Sequence, residues 1–183
     1  MNDLFVGTEH FTSQPDGKGR LEKEMKVYDL LDALEIPYDG IDHDVTPTIE
    51  ACKAVEEELG VMPCKTLFLC NRQKTEFYLL LMPGEKKFRT KDVSKQLGTA
   101  RLSFADPEYM EAFLDIHPGA VSPLGLMNDH DGHVRLLVDR DLLKFDYMGC
   151  HPCVNTSSLR IKTIDILERF APAVKHSYTV VEL

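Results

Sequence analysis

Residues 64–83 read Cys-Lys-Thr-Leu-Phe-Leu-Cys, then Asn-Arg-Gln-Lys-Thr-Glu, then Phe-Tyr-Leu-Leu-Leu-Met-Pro. Two short apolar runs, 65–70 and 77–82, flank a polar link at 71–76. Runs of this length between turn-forming residues predict buried strands. The link is too short for a crossover helix, so the strands pair antiparallel. Pro83-Gly84 ends the second strand.

Upstream, Val27, Leu30, Leu31 and Leu34 recur at the spacing of one helix face, in a helix that begins near Leu21 and is stopped by Pro37. A short strand is predicted at 38–43. Thr46-Pro47 is a helix start, because Thr offers a capping oxygen and Pro is tolerated at the first helical position. That helix runs to Leu59 and is capped by Gly60. Residues 1–20 carry Gly7, Pro15, Gly17 and Gly19 without a period and read as an N-terminal arm or poorly ordered lead-in to a domain spanning 21–183.

Downstream, the pattern predicts a helix at 90–97 and a strand at 102–105. Asp106-Pro107 caps a further helix. Residues 117–125 read as a loop and 129–132 as a turn. Strands are predicted at 134–138, 145–150, 154–159 and 178–181. A last helix at 164–170 takes Thr163 as its N-cap. The fold class expected is α+β: a mixed, largely antiparallel, partly closed sheet surrounded by helices.

The chain has 183 residues, enough for one domain with a core that needs no disulfide or structural metal. Its longest apolar run, 77–82, is far short of the ~20 residues of a membrane-spanning helix. No secretory signal is read at the N-terminus, and five cysteines without a disulfide spacing read as reduced thiols; a cytoplasmic location is expected. Lys and Arg number 21 against 30 Asp and Glu, a net charge of −9 that by itself counts against a polyanionic partner.

Signatures of dinucleotide sites, P-loops, nucleophile elbows and zinc hydrolases or deaminases are absent. Cys150-His151-Pro152-Cys153 allows redox or zinc chemistry, but no second ligand pair accompanies it and the segment after it reads as a strand, so two small residues flanking a turn are the preferred reading. Lys65 either snorkels from a strand end or fixes a cation at a pocket rim, where it binds phosphate or carboxylate. Gly119-Ala120-Val121-Ser122-Pro123 is either an ordinary turn or a loop whose backbone amides reach a developing oxyanion. His151 and Asn155-Thr156 form a polar cluster beside a strand start.

Together, the Thr46-Pro47 start, the segment 64–69, the segment 119–125 (Gly-Ala-Val-Ser-Pro-Leu-Gly) and the segment 149–156 (Gly-Cys-His-Pro-Cys-Val-Asn-Thr) resemble the YbaK/ProX aminoacyl-tRNA deacylase family, most of all its freestanding prolyl-tRNA editing branch. The resemblance runs from about Leu21 to the C-terminus and leaves the arm outside. It implies hydrolysis of a wrong amino acid from tRNA(Pro), alanine first and cysteine as the alternative, without metal or other cofactor. A non-catalytic tRNA- or synthetase-binding module is the reading from a different class. The partners implied are the acceptor end of tRNA(Pro) carrying a small amino acid and, transiently, prolyl-tRNA synthetase. Lys65 matches the family's essential lysine, Gly119 and Pro123 the loop around the aminoacyl group, and His151 a pocket histidine. Ala120, Val121 and His151 are the expected pocket wall, with Ser122 and Asn155 beside them. The acidic net charge then implies contact confined near Lys65, helped by Lys86, Lys87 and Arg89, with modest salt dependence.

Overall fold

In the computed structural model, residues 5–45 and 49–183 are described. The hairpin forms as the sequence predicts. Strand β2 (Cys64–Cys70) pairs antiparallel with β3 (Phe77–Pro83), Cys64 opposite Pro83 and Cys70 opposite Phe77. In the connecting turn the Asn71 side chain accepts from the Thr75 amide and its own amide group donates to Thr75 Oγ1. Both faces of β3 are buried, as its unbroken apolar run requires.

The elements before the hairpin are α1 (Glu22–Ala33), β1 (Tyr38–Asp42) and α2 (Ile49–Leu59). The Thr46-Pro47 helix start lies outside the described residues. After the hairpin come α3 (Thr90–Leu97), β4 (Ser103–Phe104), α4 (Pro107–Leu114), a 3-10 turn at Pro123–Asn128 and β5 (Val134–Asp139). Then follow β6 (Tyr147–Cys150), β7 (Ser157–Lys162) and β8 (Tyr178–Val181). One sheet has the order β4-β2-β3-β5-β8 and the other β1-β7-β6. Pairing is mostly antiparallel, but β3–β5 and β5–β8 run parallel. Their connections contain helices, which parallel pairing demands. Among the described residues one parallel bridge, Met62 to Met148, joins the two sheets at one corner, so closure is partial.

Alternation along β2 and β3 divides the core. Phe68, Cys70, Leu79 and Leu81 face the three-stranded sheet, α1 and α4 in the main core. Leu69, Tyr78, Leu80 and Met82 face the opposite way, toward Val93 of α3. Gly98 closes α3 in the left-handed region, at φ 64°, where a side chain is disfavoured.

Four local expectations are corrected. Strand β6 begins later than 145, because a 3-10 turn at Arg140–Lys144 precedes it with Phe145 as its C-cap, and β7 begins later than 154, because 151–156 turn: Pro152 lacks an amide and Cys153 takes φ 62°. The register Cys150–Leu159 and Met148–Ile161 then puts the apolar residues inward. Thr163 is not the cap of the last helix; Lys162 holds that position, and the Thr163 hydroxyl is buried without a protein partner. The helix itself is a π turn, Ile166–Phe170, between α5 (Thr163–Asp165) and α6 (Ala171–Ala173). Pro172 explains the widening, since its ring lacks an amide to donate to Glu168 and crowds that carbonyl. The loop expected at 117–125 ends in the 3-10 turn from Pro123.

The described part of the arm is ordered along β1. Gly7 and Phe11 donate to the carbonyls of Asp42 and Gly40, and Gly40 donates back to Phe11. Phe11 packs edge-on against Tyr28, and the Arg20 guanidinium covers its ring. Gly40 is required by this approach: a Cβ there would fall 2.4 Å from the Phe11 ring.

Candidate functional site

Where the two sheets meet, β2 and β6 diverge from the Met62–Met148 bridge and α2 covers the gap. The result is a cavity of about 160 Å3. Ligand sites for drug-sized molecules occupy ~300–1,000 Å3, so this one suits a small group. Helix α2 contributes Cys52, Val55, Glu56 and Leu59, spaced as one helix face. Strand β2 contributes Cys64 and Thr66, the 119–123 loop Val121, and the β6 end Gly149, Cys150 and His151, with Ser158 of β7 behind them.

A hydrogen-bonded relay fixes His151. His43 Nδ1 lies 2.8 Å from the Asp44 carbonyl, which can only accept, so that nitrogen carries the proton. His43 Nε2 then accepts from the Ser158 hydroxyl at 2.8 Å. His151 Nδ1 lies 2.9 Å from the Ser157 carbonyl and 3.2 Å from Ser158 Oγ, so it too is the protonated nitrogen. The His151 Nε2 lone pair remains for an occupant of the cavity. Burial pushes the His151 pKa below its usual value, against the Ser157 carbonyl and with the help of nearby His43, so the ring is neutral near pH 7. Burial holds the Cys64 and Cys153 thiols protonated: it pushes Cys64 up to about 12, with the Glu56 charge adding to it, and Cys153 up to about 12.

The other face of the β1–β7 pair is clamped by the arm. Arg20 donates to Glu24 at 2.6 Å and to both oxygens of Asp42, at 3.0 and 2.6 Å. The Ser157 hydroxyl donates to Asp42 at 2.5 Å, and the Ser157 carbonyl is the group that orients His151.

The residues singled out in the sequence do not all converge. Val121 and His151 line the cavity. Ala120 and Asn155 line a separate hollow of about 190 Å3 with Lys23, Glu24 and His117. Gly119, at φ 96°, lies against Asn155, where a Cβ would sit 3.4 Å from the side-chain nitrogen. Ser122 is fully buried, its hydroxyl accepting from the Leu124 amide, and Pro123 opens the 3-10 turn. The Ala120 amide donates to the His117 carbonyl, so it is already engaged. Lys65 lies between Cys64 and Thr66 but does not itself line the cavity; its ammonium donates to the Lys86 carbonyl at 3.1 Å. Lys86 in turn is held by buried Asp139 at 2.9 Å and by Asp141 at 2.6 Å, which takes it out of the pool of free cations. Lys87 and Arg89 are exposed.

Sequence reasoning missed His43, Ser158, Thr66 and Glu56. The α2 residues carried a signal, the 52/55/56/59 spacing; His43 and Ser158 carried none, since only the pairing of β1 with β7 brings them together. Among the described residues no cluster of His, Cys, Asp and Glu suits a metal, and no helix is long and apolar enough to cross a membrane.

Comparison with known proteins gives a consistent result. Residues 43–168 match the model of the aminoacyl-tRNA editing domain. The chain is 29% identical to the prolyl-tRNA editing protein ProX of Acetoanaerobium sticklandii over 163 residues, 89% of this chain and 99% of that protein. It is 27% identical to prolyl-tRNA synthetase associated domain-containing protein 1 of Danio rerio, over 86% of this chain and 84% of that one. A solved structure described as that of a candidate trans-editing enzyme for prolyl tRNA synthetase superposes with a TM-score of 0.66 at 15% identity, covering 89% of this chain and 98% of its own. At that identity the likeness speaks for the fold.

Proposed function

The chain belongs to the aminoacyl-tRNA editing domain family, and from that premise we propose that it hydrolyses mischarged Ala-tRNA(Pro) to alanine and tRNA(Pro). The observation that carries the reading is the cavity itself. It is small, and it draws residues from each of the segments 64–69, 119–125 and 149–156. The likeness to a prolyl-tRNA editing protein over nearly the whole of both chains supports tRNA(Pro) as the carrier.

The bond broken is an ester between the amino acid and the terminal ribose. The aminoacyl group enters between α2 and β2, against Val121 and His151. Its carbonyl oxygen gains negative charge as water adds, and backbone amides of the 119–123 loop, led by that of Val121 in the lining, are the donors for that charge. The Ala120 amide is excluded from this role by its bond to His117. His151 Nε2 accepts a proton from the attacking water or from the ribose hydroxyl that relays it. Lys65 serves the phosphate side of the substrate: it is half-buried beside the cavity residues Cys64 and Thr66, with its ammonium outside the lining. A carbonyl as its protein partner leaves the positive charge available to a phosphate.

Selectivity is a matter of size. One methylene discriminates by only about 1–3 kcal/mol in a synthetase pocket, so a smaller amino acid escapes rejection there. A second cavity that admits alanine and is too narrow for the proline ring completes the sieve, with Val121 and His151 at its wall. Contact with prolyl-tRNA synthetase and a cytoplasmic location belong to the same reading.

The test is a deacylation panel with Ala-, Cys- and Pro-tRNA(Pro). Alanine is expected to be released fastest and proline slowest. No turnover of any of them refutes the enzyme, and faster release of cysteine reassigns the substrate. Lys65→Ala is expected to abolish turnover with an unchanged melting curve.

A further inference from the structure

One charged group in the cavity has no part in the mechanism above. Glu56 stands on the α2 face that lines the cavity, at a position where the 52/55/56/59 spacing would ordinarily place an apolar residue. Its neighbours Glu57 and Glu58 are exposed, and Glu58 is in reach of His10, so the acidic run as a whole is a solvated face. Glu56 alone is turned inward. Among the described residues it has no salt-bridge partner within 4 Å. The Cys64 amide, at the start of β2, favours its ionised form.

The other polar groups of the lining carry no charge. His151 is neutral, the Cys64 thiol is held protonated, and Thr66 and Ser158 offer hydroxyls. A cation entering this cavity therefore meets one anion. An aminoacyl ester carries such a cation, the α-ammonium group one carbon from the reacting carbonyl. We propose that Glu56 binds the α-ammonium group of the aminoacyl ester and so sets the carbonyl against its oxyanion donors. This rests on the deacylase reading and adds a specificity to it: esters whose amine is acylated, as in a peptidyl-tRNA, lack the cation and are spared. Burial raises the Glu56 pKa above the ordinary carboxylate range, with the Cys64 amide and Lys53 opposing it, as expected for an acid awaiting a counter-ion.

The experiment pairs a side-chain change with a substrate change. Wild type and Glu56→Gln are assayed on alanyl-tRNA(Pro) and on its lactyl ester, in which nitrous acid has replaced the ammonium by a hydroxyl. Glu56→Gln keeps the size of the side chain and an acceptor for the Cys64 amide. Wild type is expected to favour the alanyl ester by roughly tenfold to hundredfold, the range of a charge-assisted hydrogen bond. Glu56→Gln is expected to lose that preference and to hydrolyse the lactyl ester at the wild-type rate, which also shows that the variant is folded. Equal turnover of the two esters by wild type overturns the proposal, as does the same fractional loss on both esters in the variant. Binding of the hydrolysis-resistant 3′-alanylamido and 3′-lactylamido adenosines, followed by titration calorimetry, separates this inference from the reading beneath it. Ammonium-selective binding without turnover refutes the hydrolase and keeps Glu56. Turnover without ammonium selectivity does the reverse.

Discussion

Replacing Arg20 by Met tests whether the N-terminal arm is part of the architecture that holds His151. The guanidinium bridges two carboxylates of unequal exposure. The Glu24 side chain is 4% exposed and that of Asp42 is 46% exposed. Removing the cation strands Glu24 in the interior, and breaking a buried pair from one side costs ~3–5 kcal/mol. The lower end applies, because Glu24 keeps the Tyr28 hydroxyl at 3.1 Å. Asp42 faces solvent and adds under ~1 kcal/mol. The expected loss is about 3–4 kcal/mol, or about 10 °C in melting temperature for a chain of this length. The loss depends on pH in a definite direction. Burial pushes the Asp42 carboxyl up, but the Arg20 guanidinium and the Ser157 hydroxyl pull it further down, so its folded pKa lies below the unfolded value. A depressed carboxyl contributes stability that is full above the unfolded value, about 3.9, and is lost as pH falls through the folded one. The gap between wild type and Arg20→Met therefore narrows below about pH 4. Adding Glu24→Gln to the variant removes the stranded charge and should restore about 1.5 kcal/mol or more. Calorimetric melts of the three proteins between pH 3.5 and 7.5 give all of these numbers. A shift under about 2 °C for the single variant, or no recovery in the double, refutes the clamp.

Three further outcomes follow from the same geometry. Because burial lowers the His151 pKa, kcat/KM for alanyl ester hydrolysis should stay level from pH 8 to about 6.5 and fall only below it; a decline that begins above pH 7 contradicts the neutral-ring assignment. Double replacement of Cys150 and Cys153 by Ser should leave deacylation within about threefold of wild type, since burial holds both thiols protonated and the reaction needs no thiolate, and a loss above about 100-fold would restore the redox reading. Gly40→Ala should detach the arm, because its Cβ collides with the Phe11 ring and a Leu159 methyl; limited proteolysis should then cut within residues 5–20, where wild type resists.

The hairpin at 64–83, the apolar face of α1 and the glycine stop after α2 were legible because each depends on local chemistry. Hydrophobic runs, turn residues and helix stops act within a few residues of themselves. The sequence also contained the identity and order of the site segments, and hence the family. It did not contain their parity. Cys64, Lys65 and Thr66 are all half-buried, so alternation alone could not tell whether Lys65 or its neighbours would face the cavity; the packing of α3 on one face and of α2 and β6 on the other decided it. Nor could spacing separate Val121 from Ala120, which adjacent positions of one loop direct into different hollows. The relay His43–Ser158–His151 joins residues more than 100 positions apart and exists only because β1 pairs with β7 in one register. Local propensity wrote the elements, while long-range pairing, whose partners no local pattern names, chose which side chains meet.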